Sequence, residues 1–141
     1  MAQPPRPIRI LVVEDYPDTR EMYVEYLSAQ GHDVVEAEDG VQAVQAAKAL
    51  LPDVIVLDIN LPRLDGLSVL RVIRADPRLD GIPVLTLSAS MGTEYDEEAL
   101  EAGALRALHK PLLPDELHRA ILEAHASAGQ EPARRLRWGG R

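Results

Sequence analysis

Residues 54–57, Val-Ile-Val-Leu, form an unbroken apolar run with three β-branched members, and the run ends directly in Asp58. A strand without polar alternation is covered on both faces. Comparable runs occur at Ile8–Val13 and in "IPVLTLSAS", with a shorter strand in "HDVVEAED" and a weaker one in "ALRALHK". Between them lie segments of helical pattern. Parallel strands need a helix for each return crossing, so strict strand–helix alternation implies a parallel sheet with helices on both faces. The chain therefore reads as α/β, doubly wound, with five strands and five helices.

Breakers and caps mark the helices. Pro17 and Asp18 suit the start of the first, whose apolar residues are Met22, Tyr23, Tyr26 and Leu27, and Gly31 stops it. In "GVQAVQAAKALL" the expected inner face is Val41, Val44, Ala47 and Leu51, with Pro52 ending the helix. "LSVLRVIRAD" is closed by Pro77, and "TEYDEEALEAG" takes Thr93 as cap and Gly103 as stop. The last helix, "PDELHRAILEAHA", turns Leu117, Ile121 and Ala124 inward. The expected division is an extension over 1–7, one domain over 8–126, and a basic tail over 127–141. Four arginines and one acid fill that tail. It reads as flexible chain, or as a short docking element built on Leu136 and Trp138.

Bulk properties narrow the function. The 141 residues suffice for one domain with a real core. A net charge of −8 argues against direct nucleic-acid binding, which draws its affinity from neutralising phosphates. Without cysteine there is neither disulfide nor thiolate metal site. No stretch has the length of a signal core or a membrane span, so the expectation is a cytoplasmic protein without membrane insertion.

Ligands of open parallel sheets bind beyond the carboxyl ends of the strands. The strands deliver Glu14 and Asp15, Asp58, Ser88 and Lys110 to that edge. Carboxylates so close together need a cation to stay ionised. An oxygen-only donor set favours a hard ion such as Mg²⁺, with phosphate as a natural co-ligand. Lys110 adds a point charge for an anionic group and Ser88 a hydroxyl donor. A metal, an ammonium and a hydroxyl around one carboxylate suit phosphoryl transfer to that carboxylate. Asp58 stands alone at its strand end and is the candidate nucleophile. Glu14 and Asp15 form the metal-holding pair.

The segments "VVEDYP", "VLDINLPRLDG", "LTLSA" and "GALRALHKPL" together resemble the receiver domain of bacterial two-component response regulators, over roughly residues 8–126. The resemblance implies a flavodoxin-like sheet of order 2-1-3-4-5. It implies that Asp58 accepts a phosphoryl group from the phosphohistidine of a sensor histidine kinase or a histidine phosphotransfer protein. Glu14, Asp15, Asp58 and the backbone carbonyl of Asn60 would hold Mg²⁺, with Mn²⁺ as a substitute. Lys110 would bridge to the phosphoryl group and Ser88 would swing in to hydrogen-bond it. The surface of the fourth helix, fifth strand and fifth helix would then switch for a downstream protein target, in a monomer or a phosphorylation-dependent dimer. Such a domain is a signalling module acting on itself, not an enzyme turning over a substrate.

Two departures stand out. The family's usual aromatic switch position in the fifth strand is Ala107, and the chain contains no Phe. Asn60 and Ser90, two residues beyond acceptor and hydroxyl, are small and polar, which predicts a transient phosphoryl state. With little chain beyond residue 126, the expected role is a stand-alone receiver. Two alternatives are a receiver that binds partners without phosphorylation and an aspartate-nucleophile phosphatase. The phosphatase wants an acid two residues past the nucleophile, where Asn60 sits. A nucleotide-binding domain would need a Gly-rich loop after the first strand, and "VVEDYPDT" has no glycine. His32, His109, His118 and His125 show no metal-site spacing. His109 is expected to face away from the pocket, and His118 and His125 to lie on a largely solvated face.

Overall fold

All five strands form in the computed structural model, which describes residues 7–61, 64–89 and 94–129. They are β1 (Arg9–Val13), β2 (Asp33–Ala37), β3 (Val54–Asp58), β4 (Val84–Ser88) and β5 (Arg106–His109). The helices between them are α1 (Pro17–Ala29), α2 (Gly40–Leu50), α3 (Gly66–Ala75), α4 (Glu94–Glu101) and α5 (Pro114–Gly129), with a 3₁₀ turn at Pro77–Leu79. The sheet is parallel, in the order β2-β1-β3-β4-β5. Ser90, Thr93 and the tail from residue 130 lie outside the described residues. α5 continues to Gly129, past the expected boundary at 126. No described helix is long and apolar enough to cross a membrane.

The alternation of side chains along each strand splits the core in two. Ile10, Val12, Val54, Val56, Leu85 and Leu87 pack with Tyr23 and Leu27 of α1 and with Leu117, Ile121 and Ala124 of α5. Leu11, Val13, Ile55 and Leu57 pack on the other face with Ala43 and Ala47 of α2 and Val69, Leu70 and Ile73 of α3. The inner face expected of α5 is thus the observed one. Doubly covered strands are the reason for the unbroken apolar runs.

α2 departs from expectation. Its buried face is Gly40, Ala43 and Ala47, whereas Val41 is 47% exposed and Leu51, beyond the helix in a left-handed conformation, 52%. The helix lies close to its neighbours: a Cβ at Gly40 would stand 2.5 Å from the Leu64 carbonyl oxygen. Close approach selects the small residues for the inside, and the larger Val41 turns out. β5 is also shorter than expected and pairs only with β4, as an edge strand.

Glycine decides how α3 meets the sheet. Asp65 caps the helix, accepting from the Ser68 amide at 3.0 Å. Gly66 then passes so near the end of β3 that a Cβ there would lie 2.5 Å from the Asp58 carbonyl oxygen and 2.5 Å from Ile59 Cα. Neither backbone atom can swing aside.

On the opposite edge a histidine pair ties α5 to the turn before β2. The Ile8 amide donates to His32 Nδ1 at 3.1 Å, and His32 Nε2 lies 2.9 Å from His118 Nε2. With its Nδ1 accepting, neutral His32 carries its proton on Nε2 and donates to His118. Burial, and then the neighbouring His118 and His125, hold the His32 pKa below its ordinary value of 6.5.

Two predictions come from these contacts. Gly66→Ala should cost about 1–3 kcal/mol in urea denaturation through forced backbone displacement. Gly81→Ala, where a Cβ meets nothing, should stay within about 0.5 kcal/mol. Because folded His32 binds a proton less readily than unfolded His32, its contribution is intact above pH 6.5 and is lost as pH falls through the lowered folded value. Unfolding at pH 7.5, 6.5 and 5.5 should therefore show a drop in wild type that is smaller in His32→Asn, and equal slopes would disprove the assignment.

Candidate functional site

The strand ends place their charges according to side-chain parity. Glu14 continues the Ile10–Val12 row and Asp58 the Val54–Val56 row, so both carboxylates rise on the α1/α5 face. Both residues are 1% exposed. The exposed Asp15 joins them, and one oxygen from each of Glu14, Asp15 and Asp58 lies within 4.8 Å of the other two.

Lys110 enters from the end of β5. Its Nζ donates to Asp58 Oδ2 at 3.1 Å and stands 2.8 Å from Glu14 Oε1. The second approach is an ion pair by distance without hydrogen-bond alignment, so this buried oxygen keeps its hydrogen-bonding capacity. The remaining oxygens are held by backbone: the Tyr16 amide donates to Glu14 Oε2 at 3.2 Å, and the Asn60 amide to Asp58 Oδ1 at 2.9 Å. Burial pushes the Glu14 carboxyl above its ordinary range; Lys110 opposes the shift and Asp58 adds to it. Burial on its own would lower Lys110, but Glu14 and Asp58 outweigh it and hold the ammonium pKa above its usual value.

Ser88 is buried at the end of β4, one step beyond Leu87, the partner of Asp58. Its carbonyl accepts from the Lys110 amide at 2.9 Å. Within β4, Leu85 and Leu87 face α1 and α5, so Ser88 leaves the strand on the alternate side. His109 does face away, as expected: its Nε2 donates to Asp96 of α4 at 2.8 Å. Of the residues singled out in the sequence, Glu14, Asp15, Asp58 and Lys110 thus meet directly. Asn60 contributes its amide, and Ser88 is tied in through its backbone.

Some residues that build the site carry no sequence signal. Tyr23, read there as an apolar helix residue, buries its ring and donates its hydroxyl to the Leu112 carbonyl at 2.8 Å, pinning the loop after Lys110 to α1. The Lys110–Pro111 peptide in that loop is cis. Arg20 reaches from α1 to the Glu14 carbonyl at 2.8 Å. The Gly in "LDG" is a motif member, but its close approach to Asp58 emerges only in three dimensions.

With all three acids ionised, three carboxylates face one ammonium, and the excess of two negative charges matches a divalent cation. The all-oxygen donor set and the open hydrogen-bonding capacity of Glu14 Oε1 fit a hard ion.

A five-stranded parallel sheet with three acids and a lysine gathered at its carboxyl edge defines a small doubly wound α/β domain. The sequence profile of the response regulator receiver domain matches residues 10–122, and the chain belongs to that family, the receiver domains of two-component systems. It is 38% identical over 128 residues to the DNA-binding response regulator MtrA of Mycolicibacterium smegmatis, covering 91% of this chain and 55% of that protein. The chain thus spans about half the length of the curated relatives it matches. Among solved structures, the chemotaxis response regulator CheY4 of Vibrio cholerae superimposes with a TM-score of 0.80 at 28% identity, covering 84% of this chain and 99% of that one. The receiver domain of a sensor histidine kinase from Pseudomonas aeruginosa PAO1 gives a TM-score of 0.78 at 34% identity, covering 86% and 99%. That structure has a magnesium ion coordinated in its active-site cleft.

A bound cation would be read in the folding equilibrium. Mg²⁺ at 100 times its dissociation constant should stabilise the chain by about 2.7 kcal/mol, and Asp15→Asn should remove most of this gain. Thermal unfolding followed by circular dichroism, with Mg²⁺ or with chelator, measures it; a midpoint indifferent to Mg²⁺ in the wild type would refute a cation site here.

Proposed function

We propose that the chain is a phosphoacceptor receiver in which Asp58 takes a phosphoryl group from the phosphohistidine of a histidine kinase or a histidine phosphotransfer protein. The observation that carries this reading is the ammonium of Lys110 lying between two buried carboxylates, 2.8 Å from Glu14 and 3.1 Å from Asp58. A buried acid at a strand end, paired with one ammonium that an anionic group could draw away, is placed to act as a nucleophile.

In the proposed transfer an Asp58 carboxylate oxygen attacks phosphorus, the histidine N–P bond breaks, and the imidazole leaves with the bond's electron pair. The Asn60 amide, already on Oδ1, orients the carboxylate. Lys110 then exchanges its hold on Asp58 for the new phosphoryl oxygens while keeping Glu14. Mg²⁺, with Mn²⁺ as substitute, would be held by Glu14, Asp15, Asp58 and the Asn60 carbonyl, and would neutralise charge on the transferring group. Ser88 starts on the alternate side of β4, so hydrogen-bonding the phosphoryl group requires Ser88 to move toward the site. This motion and the pull on Lys110 are the proposed origin of a switch on the α4–β5–α5 surface, read by a downstream protein.

Ala107 bears on that last step. It is half-buried in β5 and has no ring to reorient, so the switch rests on backbone and ion-pair movement. The same residue favours the second reading, a receiver that binds its partner without phosphorylation.

The deciding experiment is intact-protein mass after incubation with a small phosphodonor, with Mg²⁺ or chelator, for wild type and Asp58→Asn. The expected result is one added phosphoryl group that requires Mg²⁺ and is absent from Asp58→Asn. A folded, Mg²⁺-binding wild type that takes up no phosphoryl group would transfer the assignment to the phosphorylation-independent module.

A further inference from the structure

The loop between β1 and α1 has to hold Glu14 and Asp15 in place, and very little of it is regular structure. Its start is fixed by the Glu14 amide, which extends the β1–β2 pairing by donating to the Ala37 carbonyl at 3.0 Å. Its end is fixed where Pro17 opens α1, a helix with no side-chain cap at Tyr16. Between these points the carbonyls of Glu14 and Asp15 face Arg20. Arg20 Nη1 donates to the Glu14 carbonyl at 2.8 Å and approaches the Asp15 carbonyl at 3.5 Å. The guanidinium is in turn oriented by β2 and the residue just beyond it: Nε donates to Glu36 Oε1 at 3.0 Å, and Nη2 lies 3.9 Å from Glu38 Oε2. Its side chain is only 14% exposed.

We propose that Arg20 is a positioning residue for the cation site, clamping the backbone of the Glu14–Asp15 pair so that both carboxylates are preset for a divalent ion. The inference rests on the receiver reading above. Arg20 touches neither the ion nor the phosphoryl group; it acts through the two carbonyls. The planar guanidinium suits this role because one edge serves the loop while Nε and Nη2 serve β2, a division that a lysine ammonium cannot reproduce. Glu36 and Glu38 also balance the arginine's charge, so a cation placed among Glu14, Asp15 and Asp58 meets little net repulsion from it. The bland alternative is a surface ion pair between α1 and β2, worth little and irrelevant to the site.

The two accounts separate by where the loss falls. With the acids free to wander, each ion bound must also order the loop, so affinity suffers while the chemistry at saturation does not. In calorimetric titration of the whole chain with Mg²⁺, and with Mn²⁺ as a second probe, Arg20→Ala should weaken binding about tenfold, as loss of a ligand's outer support does. Arg20→Lys should recover only part of that loss. At saturating Mg²⁺ both variants should incorporate phosphoryl from a small donor at a rate within about twofold of wild type. Unchanged Mg²⁺ affinity in a folded Arg20→Ala, or full recovery in Arg20→Lys, would overturn the clamp. Should Arg20→Ala fail to fold, Arg20→Lys and Glu36→Gln carry the test, the latter expected to weaken Mg²⁺ severalfold by loosening the guanidinium. A wild type that binds no Mg²⁺ would defeat the cation reading itself, and so is distinguishable from failure of Arg20 alone.

Discussion

Everything at this site depends on two carboxylates that are buried before any ligand arrives. Glu14 and Asp58 sit at the ends of the two central strands, each 1% exposed, where an isolated ionised acid would be costly. Lys110 makes their burial tolerable and leaves the site incomplete at the same time. One ammonium cannot balance Glu14, Asp58 and the nearby Asp15, so the arrangement retains an appetite for positive charge. The raised pKa values of Glu14 and Lys110 are two expressions of this: the acid suffers from burial, and the base is kept charged by its two partners.

The fold is the device that brings these groups together. The β2-β1-β3-β4-β5 order sets β1 beside β3, so that residues 44 apart in sequence share an edge. Parity then selects which side chains rise on the α1/α5 face, and α1 supplies both restraints on the flanking loops. Arg20 holds the acid loop and Tyr23 the lysine loop. They lie three residues apart, hence on one side of the helix. From the other direction Gly66 lets α3 press against the Asp58 backbone. A carboxylate fixed on both sides would spend little on ordering in the proposed transfer.

How much of this was legible in the sequence depended on where the information lay. Asp58 and the acid pair follow apolar runs directly and Lys110 follows the weaker fifth strand, so the strand pattern itself pointed to them. Topology and the α5 face were equally readable, because a doubly covered strand and a one-sided helix have distinct periods. The phase of α2 was not. Gly40, Val41, Ala43, Val44, Ala46 and Ala47 make it apolar nearly all round, and only the proximity of Leu64 decides that the small residues go inside. Arg20 was invisible for a different reason: at the acid loop it bonds backbone carbonyls, which leave no trace in residue type. The His32–His118 pair likewise joins segments 86 residues apart without any spacing to betray it.

β5 is where the structure and the family pattern part company. Ala107 offers no bulk, yet the strand is not mechanically isolated. His109 follows Leu108 toward the site edge, precedes Lys110 directly, and donates to Asp96 of α4 at 2.8 Å. On the other side of the same short strand, Arg106 pairs with Glu123 of α5 at 3.1 Å. A displacement of Lys110 must therefore act on a strand of four residues whose two ends are tethered to different helices. The Glu123 pair is exposed on both sides and weak, whereas Asp96 is the better shielded partner. In this chain the better shielded of the two tethers joins the site edge to α4 through His109, and between them Ala107 offers only a methyl group.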